Sequence, residues 1–125
     1  MDDSSKKAIT AAMTLYFDGL YHSDVARLKQ VFHPKAIYAC ATDGTLVYKT
    51  MDEYFAMVAV RESPASRHEA RIDEVVSVEF AGPVTALVRA TCAIGQKCFI
   101  DLLTWVKLEG SWQIISKVFH YEIAD

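Results

Sequence analysis

Apolar residues recur with two spacings along the chain, helical in the first part and alternating in the last. An apolar stripe at helical spacing predicts a first helix from Ser4 or Ser5 to Tyr21. A short second helix is predicted from a cap at Ser23 or Asp24 to Phe32. His33-Pro34 ends this helix, because the residue before a proline is disfavoured in helical geometry.

A third helix is predicted to begin after Thr50. Thr50 and Glu53 have the spacing of a capping box, in which each side chain accepts a hydrogen bond from the other residue's backbone N–H. The helix should continue to about Glu62, and Ser63-Pro64 should end it.

The remaining segments have the alternating pattern of strands. Two short strands are predicted at residues 36–41 and 46–48, on either side of a turn. From Arg67 onward the pattern has period two, and another strand should run from Val84 to Ile94. The apolar face of the segment after Arg67 would carry His68, Ala70, Ile72, Val76 and Val78. Helices come first and mainly antiparallel strands last, which predicts an α+β fold.

Residues 99–121 form the longest alternating segment and predict a hairpin around Glu109-Gly110. If Leu108 pairs with Ser111, uninterrupted pairing places Asp101 opposite Val118. The inner face would then carry Phe99, Asp101, Leu103, Trp105, Trp112, Ile114, Ser116, Val118 and His120. The outer face would carry Ile100, Leu102, Thr104, Val106, Leu108, Ile115, Lys117, Phe119 and Tyr121. Both faces are apolar enough to be covered, and the inner one has the mixed chemistry of a small-molecule pocket.

Composition narrows the possible classes of protein. The 125 residues are 52% hydrophobic and 23% charged, which fits a single domain over residues 1–125. The net charge of −3 and the lack of a basic run argue against nucleic acid as a partner. The apolar runs are too short to span a membrane, and the N-terminus has no signal-peptide pattern, so we expect a soluble cytoplasmic protein. Three cysteines without a CxxC motif predict reduced thiols.

The order of elements and the ending K-x-x-G-x-W-x-I-I-x-K-V-F-H, residues 107–120, resemble the nuclear-transport-factor-2-like superfamily. Within it, the sequence is most similar to the SnoaL-like group labelled putative lumazine-binding. The stretch from Tyr16 to Leu20, the Phe32-His33-Pro34 break, the Asp43-Gly44 turn and Phe99-x-Asp101 extend the resemblance over the whole chain.

The resemblance implies a cystatin-like cone, in which three N-terminal helices pack into a strongly curved, mixed and mainly antiparallel sheet. A pocket would open at the wide end of the cone. The resemblance also implies a homodimer that packs through the outer face of the sheet. It does not imply one activity, because the superfamily contains isomerases, cyclases, dehydratases and transport adaptors.

Asp101 and His120 are the predicted catalytic pair. In the register above they are diagonal neighbours on the inner face, and a carboxylate beside an imidazole suits acid–base chemistry near neutral pH. Two alternatives remain: the two residues form a structural hydrogen-bonded pair, or Asp101 pairs with Arg89 on the neighbouring strand.

The predicted ligand-binding residues are mainly aromatic and are expected to line or close the pocket. They are Tyr16, Tyr38, Cys40, Tyr54, His68, Trp105 and Ser116. Tyr16 resembles the oxyanion-binding tyrosine of the ketosteroid-isomerase branch. The carboxylate base of that branch has no counterpart in residues 36–40, and Thr104 stands where its neutral acid is expected. Tyr16 is therefore also interpreted as a core residue whose hydroxyl is satisfied inside the cone.

No metal and no cofactor are predicted. His33, His68 and His120 lack the spacing of a ligand set, and no base lies near Cys40 in the sequence to activate its thiol. Three functional hypotheses follow. The first is a small-molecule-binding protein whose ligand is apolar or planar with a few polar groups. The second is a cofactor-independent isomerase, cyclase or dehydratase using Asp101 and His120, and the third is a dimeric protein-interaction module.

Overall fold

The structure is a computed structural model that describes residues 3–124. Its elements in chain order are α1 (Asp3–His22), α2 (Val25–Val31), β1 (Phe32–Cys40), β2 (Val47–Thr50), α3 (Met51–Val60), a 3-10 helix (Ala65–Arg67), β3 (Asp73–Phe80), β4 (Thr85–Ile94), β5 (Lys97–Leu108) and β6 (Ser111–Ile123). Within these bounds, no helix is both long enough and apolar enough to cross a membrane.

The three predicted α-helices are present, and side-chain caps set two of their starts. The Asp24 carboxylate accepts a hydrogen bond from the backbone N–H of Arg27 at 3.2 Å, which caps α2. At α3, the Thr50 hydroxyl accepts from the Glu53 backbone at 3.3 Å, and the Glu53 carboxylate accepts from the Thr50 backbone at 2.9 Å. The predicted capping box is confirmed. The α3 helix ends at Val60, two residues earlier than predicted.

The strands form one mixed sheet in the order β2-β1-β6-β5-β4-β3. Only the β1–β6 pair is parallel among the described strands, and the other neighbours are antiparallel. The inner face of the sheet packs against the helices, and their contact forms the core around Tyr16, Leu28, Phe32 and Trp105. The predicted α+β class is confirmed.

The segment after Arg67 is not a strand at its start. Pro64 leads into the 3-10 helix, and His68 follows it in the left-handed region at φ 56°. A strand needs extended backbone, so β3 begins only at Asp73. The predicted placement of His68 on the apolar face of a strand is therefore wrong, and its side chain is exposed.

The hairpin contains one extra residue that the predicted register lacked. Trp105 lies opposite Ile114 as predicted, but Thr104 lies opposite Ser116, which leaves Ile115 without a partner in the β5–β6 ladder. This arrangement is a β-bulge, in which two residues on one strand face one on its neighbour. Side chains alternate along a strand, so the extra residue exchanges the faces of everything that follows it.

The bulge places Lys117, Phe119 and Tyr121 on the inner face of β6, in place of the predicted Ser116, Val118 and His120. Asp101 lies opposite Phe119, not opposite Val118. The burial pattern agrees, because Lys117 and Phe119 are buried while Val118 and His120 are exposed.

The close packing of α1 on α2 depends on the missing side chain of Gly19. A Cβ atom at Gly19 would lie 2.6 Å from Cδ2 of Leu28, which is completely buried. The Leu28 side chain therefore has little room to move aside.

Gly19→Ala should lower the free energy of unfolding by about 1–2 kcal/mol, because overpacking outweighs the helix propensity gained with alanine. Urea unfolding of the two proteins measures the difference. In a Leu28→Ala background the same substitution should no longer destabilise, since its steric partner is gone. A Gly19→Ala protein more stable than the wild type would contradict this account of the helix contact.

Candidate functional site

Lys117 is the centre of the site, because it is a charged side chain buried on the inner face of the sheet. It is 6% exposed, and its Nζ lies between 5.2 and 5.7 Å from the centroids of four aromatic rings. The rings belong to Tyr16, Tyr38, Tyr54 and Phe119. Aromatic faces at this distance attract a cation. We call this arrangement the aromatic cage.

The charge of Lys117 depends on its neighbours. Burial by itself lowers the pKa of an ammonium, but the Tyr54 hydroxyl and the Asp101 carboxylate outweigh burial, and the pKa of Lys117 is raised. The Nζ also donates to the Tyr54 hydroxyl at 3.4 Å. Lys117 is therefore an ammonium at neutral pH, with further N–H donors beyond the one given to Tyr54.

Asp101 lies diagonally across from Lys117 on the inner face, and α1 supplies its partner. The Tyr16 hydroxyl donates to Oδ2 of Asp101 at 2.5 Å, and both side chains are buried. The other carboxylate oxygen, Oδ1, is buried without a hydrogen-bond partner among the described residues. Asp101 thus holds Tyr16 in place and contributes the negative charge that favours the Lys117 ammonium.

Two acidic groups near Lys117, the Tyr16 hydroxyl and the Cys92 thiol, have raised pKa values. Burial, followed by the charge of Asp101, raises the pKa of Tyr16 well above its ordinary value. Burial likewise raises the pKa of the Cys92 thiol to about 12. Tyr16 and Cys92 are therefore neutral at physiological pH, and Lys117 keeps its charge beside them.

Two adjoining spaces lie beside the aromatic cage. The recess, of about 20 Å³, is bordered by Tyr54, Cys92 and Lys117. The chamber, of about 320 Å³, is also bordered by Lys97 and Tyr121. Both spaces share walls formed by Tyr38, Arg61, Ile94, Phe99 and Phe119. The recess therefore lies next to the chamber and brings Lys117 to its border.

Three of the seven predicted ligand-binding residues border these spaces. Tyr38 borders both the chamber and the recess, Tyr54 borders the recess, and Cys40 borders the chamber. Trp105 is completely buried and borders neither space, so it belongs to the core. Tyr16 is also completely buried, and its hydroxyl is satisfied by Asp101.

The predicted pairing of Asp101 with His120 is wrong. His120 projects from the outer face because of the bulge, and its ring lies 3.1 Å from the Thr42 hydroxyl and 3.4 Å from the Glu122 carboxylate. The alternative pairing of Asp101 with Arg89 is also wrong, since Arg89 lies opposite Leu102 on that outer face.

Two predicted ligand-binding residues lie away from the chamber and the recess. Ser116 lies opposite Thr104 on the outer side of the bulge. His68 follows the 3-10 helix and is exposed.

Sequence reasoning missed Lys117 and Arg61. Lys117 is the one cation in the apolar run from Trp112 to Phe119, and that isolation was a usable signal. Arg61 caps the end of α3, and its Nε and Nη2 atoms are buried without a hydrogen-bond partner among the described residues. Arg61 carried no signal of its own, because a charged residue after a helix is usually solvated.

The outer face of the sheet carries exposed apolar side chains. Leu102 is 37% and Val118 is 42% exposed, and they form a shallow groove with Ile100 and His120. Phe119, predicted for this face, lies inside. The homodimer through the outer face stays a prediction.

A family model described as putative lumazine-binding matches residues 4–120. The chain belongs to this family. Among solved structures, an NTF2-like protein of unknown function from Shewanella baltica has a TM-score of 0.88 at 19% identity, covering 99% of this chain and 98% of that one. A similar protein from Silicibacter pomeroyi has a TM-score of 0.81 at 25% identity, covering 98% and 100%. These two are described as NTF2-like and other matches as having a cystatin-like fold, so the predicted superfamily and the predicted cystatin-like fold are confirmed.

Two further relatives have names that refer to chemistry. A ketosteroid isomerase-like protein from Erwinia carotovora atroseptica has a TM-score of 0.73 at 13% identity, covering 96% of this chain and 98% of that one. At that identity the match shows the fold alone. The aldolase FrzH from Cladobotryum sp is 27% identical over 120 residues, covering 94% of this chain and 91% of the relative.

The raised pKa of Tyr16 predicts a loss of stability at alkaline pH. In the unfolded chain a tyrosine ionises near its ordinary pKa of 10.0, whereas folded Tyr16 keeps its proton. The stabilising contribution is therefore fully present below about pH 10 and is lost as pH rises, by up to about 1.4 kcal/mol per pH unit. Urea unfolding above pH 10 should show a shallower decline for Tyr16→Phe than for the wild type. Tyr48→Phe, which removes a half-exposed ring hydroxyl, is the control, and equal declines in all three proteins would contradict the prediction.

Proposed function

We propose that the protein binds a small molecule in the chamber and recess, with a polar oxygen of the ligand on the Lys117 ammonium. The observation that carries this proposal is the buried ammonium at the border of an accessible space. Burying a charge costs several kcal/mol unless it is paired, and Tyr54 satisfies only part of this one. An oxygen acceptor from a ligand would complete its hydrogen bonding.

The sizes of the two spaces suit different parts of such a ligand. The recess of about 20 Å³ is close to the space of a single water molecule, so it admits little more than an oxygen-bearing group. The chamber of about 320 Å³ lies in the range of small-molecule pockets. A ligand would therefore place its body in the chamber and one polar group in the recess.

The chamber walls favour a planar body. Phe99, Phe119 and Tyr121 contribute rings on one side, and Tyr38 lies against Phe119 with 4.8 Å between the ring centroids. Aromatic rings bind flat apolar groups by stacking and by edge-to-face contact. The family description, which names the planar heterocycle lumazine, agrees with a ligand of this shape.

A thermal-shift screen of lumazine, riboflavin, a steroid ketone and an aromatic polyketide fragment tests the proposal. A ligand at a hundredfold excess over its Kd should stabilise the wild type by about 2.7 kcal/mol, a shift of several degrees. Lys117→Met should lose the shift, because a thioether provides no N–H for the ligand oxygen. Tyr38→Leu, which removes a wall shared by both spaces, should reduce it.

His120→Ala is the matched control, because His120 lies on the outer face and should leave binding unchanged. A shift that survives in Lys117→Met but disappears in His120→Ala would place the ligand on the outer face and overturn the proposal.

A second candidate is an enzyme that forms an enolate from a bound ketone. The aldolase name of the 27% relative favours it, since aldol chemistry proceeds through an enolate or its equivalent. The Lys117 ammonium would stabilise the developing enolate oxygen. Asp101 borders neither space, so it would favour the charge of Lys117, and the α-proton would pass to water in the chamber. In this assignment Lys117 takes the place of the predicted Asp101 and His120 at the reacting atoms.

Hydrogen–deuterium exchange at the methyl group of 2-acetonaphthone in D₂O measures this activity directly by NMR. The wild type should accelerate the exchange, and Lys117→Met should lower the rate by at least about a hundredfold, because the ammonium that stabilises the enolate oxygen is lost. His120→Ala should keep the full rate. An exchange rate equal to that of buffer would remove the enolate candidate and leave the binding proposal standing.

A further inference from the structure

Arg61 borders both the chamber and the recess and has N–H groups without a hydrogen-bond partner among the described residues. It follows the last residue of α3, and its side chain borders both spaces. Its Nε and Nη2 atoms are buried and have no hydrogen-bond partner among the described residues. A guanidinium is charged at any physiological pH, and its N–H groups form a planar fork that matches a carboxylate. Buried N–H groups of this kind call for an acceptor.

The charged side chains that border the two spaces have one sign. Lys49, Arg61 and Lys97 border the chamber, and Arg61 and Lys117 border the recess. Among the described residues that line these spaces, none is acidic. The chain as a whole has 16 acidic and 13 basic residues, so the positive lining is a local feature. Such a lining attracts anions and repels cations.

We infer that the site selects a planar carboxylate, with the carboxylate group between Arg61 and Lys117 and the ring system in the chamber. This inference rests on the proposed binding function and names its ligand class. The recess favours a carboxylate over a phosphate, because a space of about 20 Å³ fits a small planar group better than a bulky tetrahedral one. The Lys117 ammonium would bind one carboxylate oxygen as a point charge. The planar N–H groups of Arg61 would fix the orientation of the carboxylate plane.

Lys49 and Lys97, which border the chamber but not the recess, have a lesser role. The Lys97 Nζ lies 4.5 Å from the centroid of the Tyr121 ring, which keeps this ammonium at the chamber wall. Surface charges of this kind steer an anion towards the opening and lose their influence as salt is added. The selectivity for a carboxylate should therefore depend on Arg61 and Lys117 far more than on these two lysines.

The test compares two probes of the same shape, 2-naphthoate and its neutral amide 2-naphthamide, by isothermal titration at pH 7.5. The wild type should bind 2-naphthoate at least about tenfold more tightly, as expected for a charge-assisted hydrogen bond. Arg61→Gln should reduce the ratio of the two Kd values to near one. Arg61→Lys, which keeps the charge but loses the fork, should give an intermediate ratio. Arg89→Gln removes an exposed arginine of the outer face and should leave the ratio unchanged.

Equal affinities for the two probes in the wild type would overturn the inference while the binding proposal stands, since Arg61 would then be satisfied by water alone. An unchanged ratio in Arg61→Gln would also overturn it, because the preference would come from elsewhere. Circular dichroism of each variant separates loss of binding from loss of folding.

Sodium acetate separates this inference from the proposed function. Acetate carries the carboxylate expected between Arg61 and Lys117 but has no ring system for the chamber. If neither naphthyl probe binds at millimolar concentration, a stabilisation by acetate over chloride at equal ionic strength that disappears in Arg61→Gln would support the anion site and contradict the planar ligand. No response to acetate or to 2-naphthoate would overturn the anion site itself.

Discussion

The β-bulge at Ile115 is the constraint on which the site depends. Without the extra residue, strict alternation would place Lys117 on the outer face and His120 on the inner face. The neighbouring strand β1 is irregular at the same level, where the pairing shifts between Phe32 and Ile37 around Pro34. Proline lacks a backbone N–H and is tolerated in sheets mainly at edges and bulges. Two adjacent strands, β1 and β6, therefore depart from regular pairing at the same position along the sheet. Beyond this position in β6, Lys117 and Phe119 point towards the helices.

Because Lys117 lies on the inner face, its charge is shielded from water and must be stabilised by neighbouring side chains. Four aromatic rings face the ammonium, and Asp101 supplies a negative charge from the adjacent strand. The Tyr16 hydroxyl in turn fixes that carboxylate, so α1 and the sheet are joined at the site. A methionine of similar length would avoid the desolvation cost, and replacing buried ion pairs by apolar residues is often neutral or stabilising. The proposed ligand site would account for a buried lysine at the border of an accessible space.

Sequence patterns predicted the three α-helices and most of the strands, but not the 3-10 helix or the register of the last hairpin. The helices, the Thr50 capping box and the Glu109-Gly110 turn have local signals, and all are present. Asp101, Tyr16 and Tyr38 were found because they precede the bulge or lie on other elements. Strict alternation of side chains through Ile115 predicts His120 on the inner face, and no residue pattern near Ile115 indicates a bulge. Arg61 was missed for a different reason, since its burial depends on how α3 lies against the sheet and not on nearby residues.

The charge state of Lys117 tests this account most directly. The ¹⁵Nζ and ¹³Cε resonances of Lys117, assigned with Lys117→Met, report whether the amine is protonated across a titration from pH 6 to pH 11. The account predicts an ammonium over the neutral range, with a pKa above that of an ordinary lysine. In Asp101→Asn the pKa of Lys117 should fall, because the carboxylate that counteracts the effect of burial is lost. A neutral Lys117 amine at pH 7 in the wild type would contradict the central claim, and so would a resonance typical of a solvent-exposed lysine on the outer face.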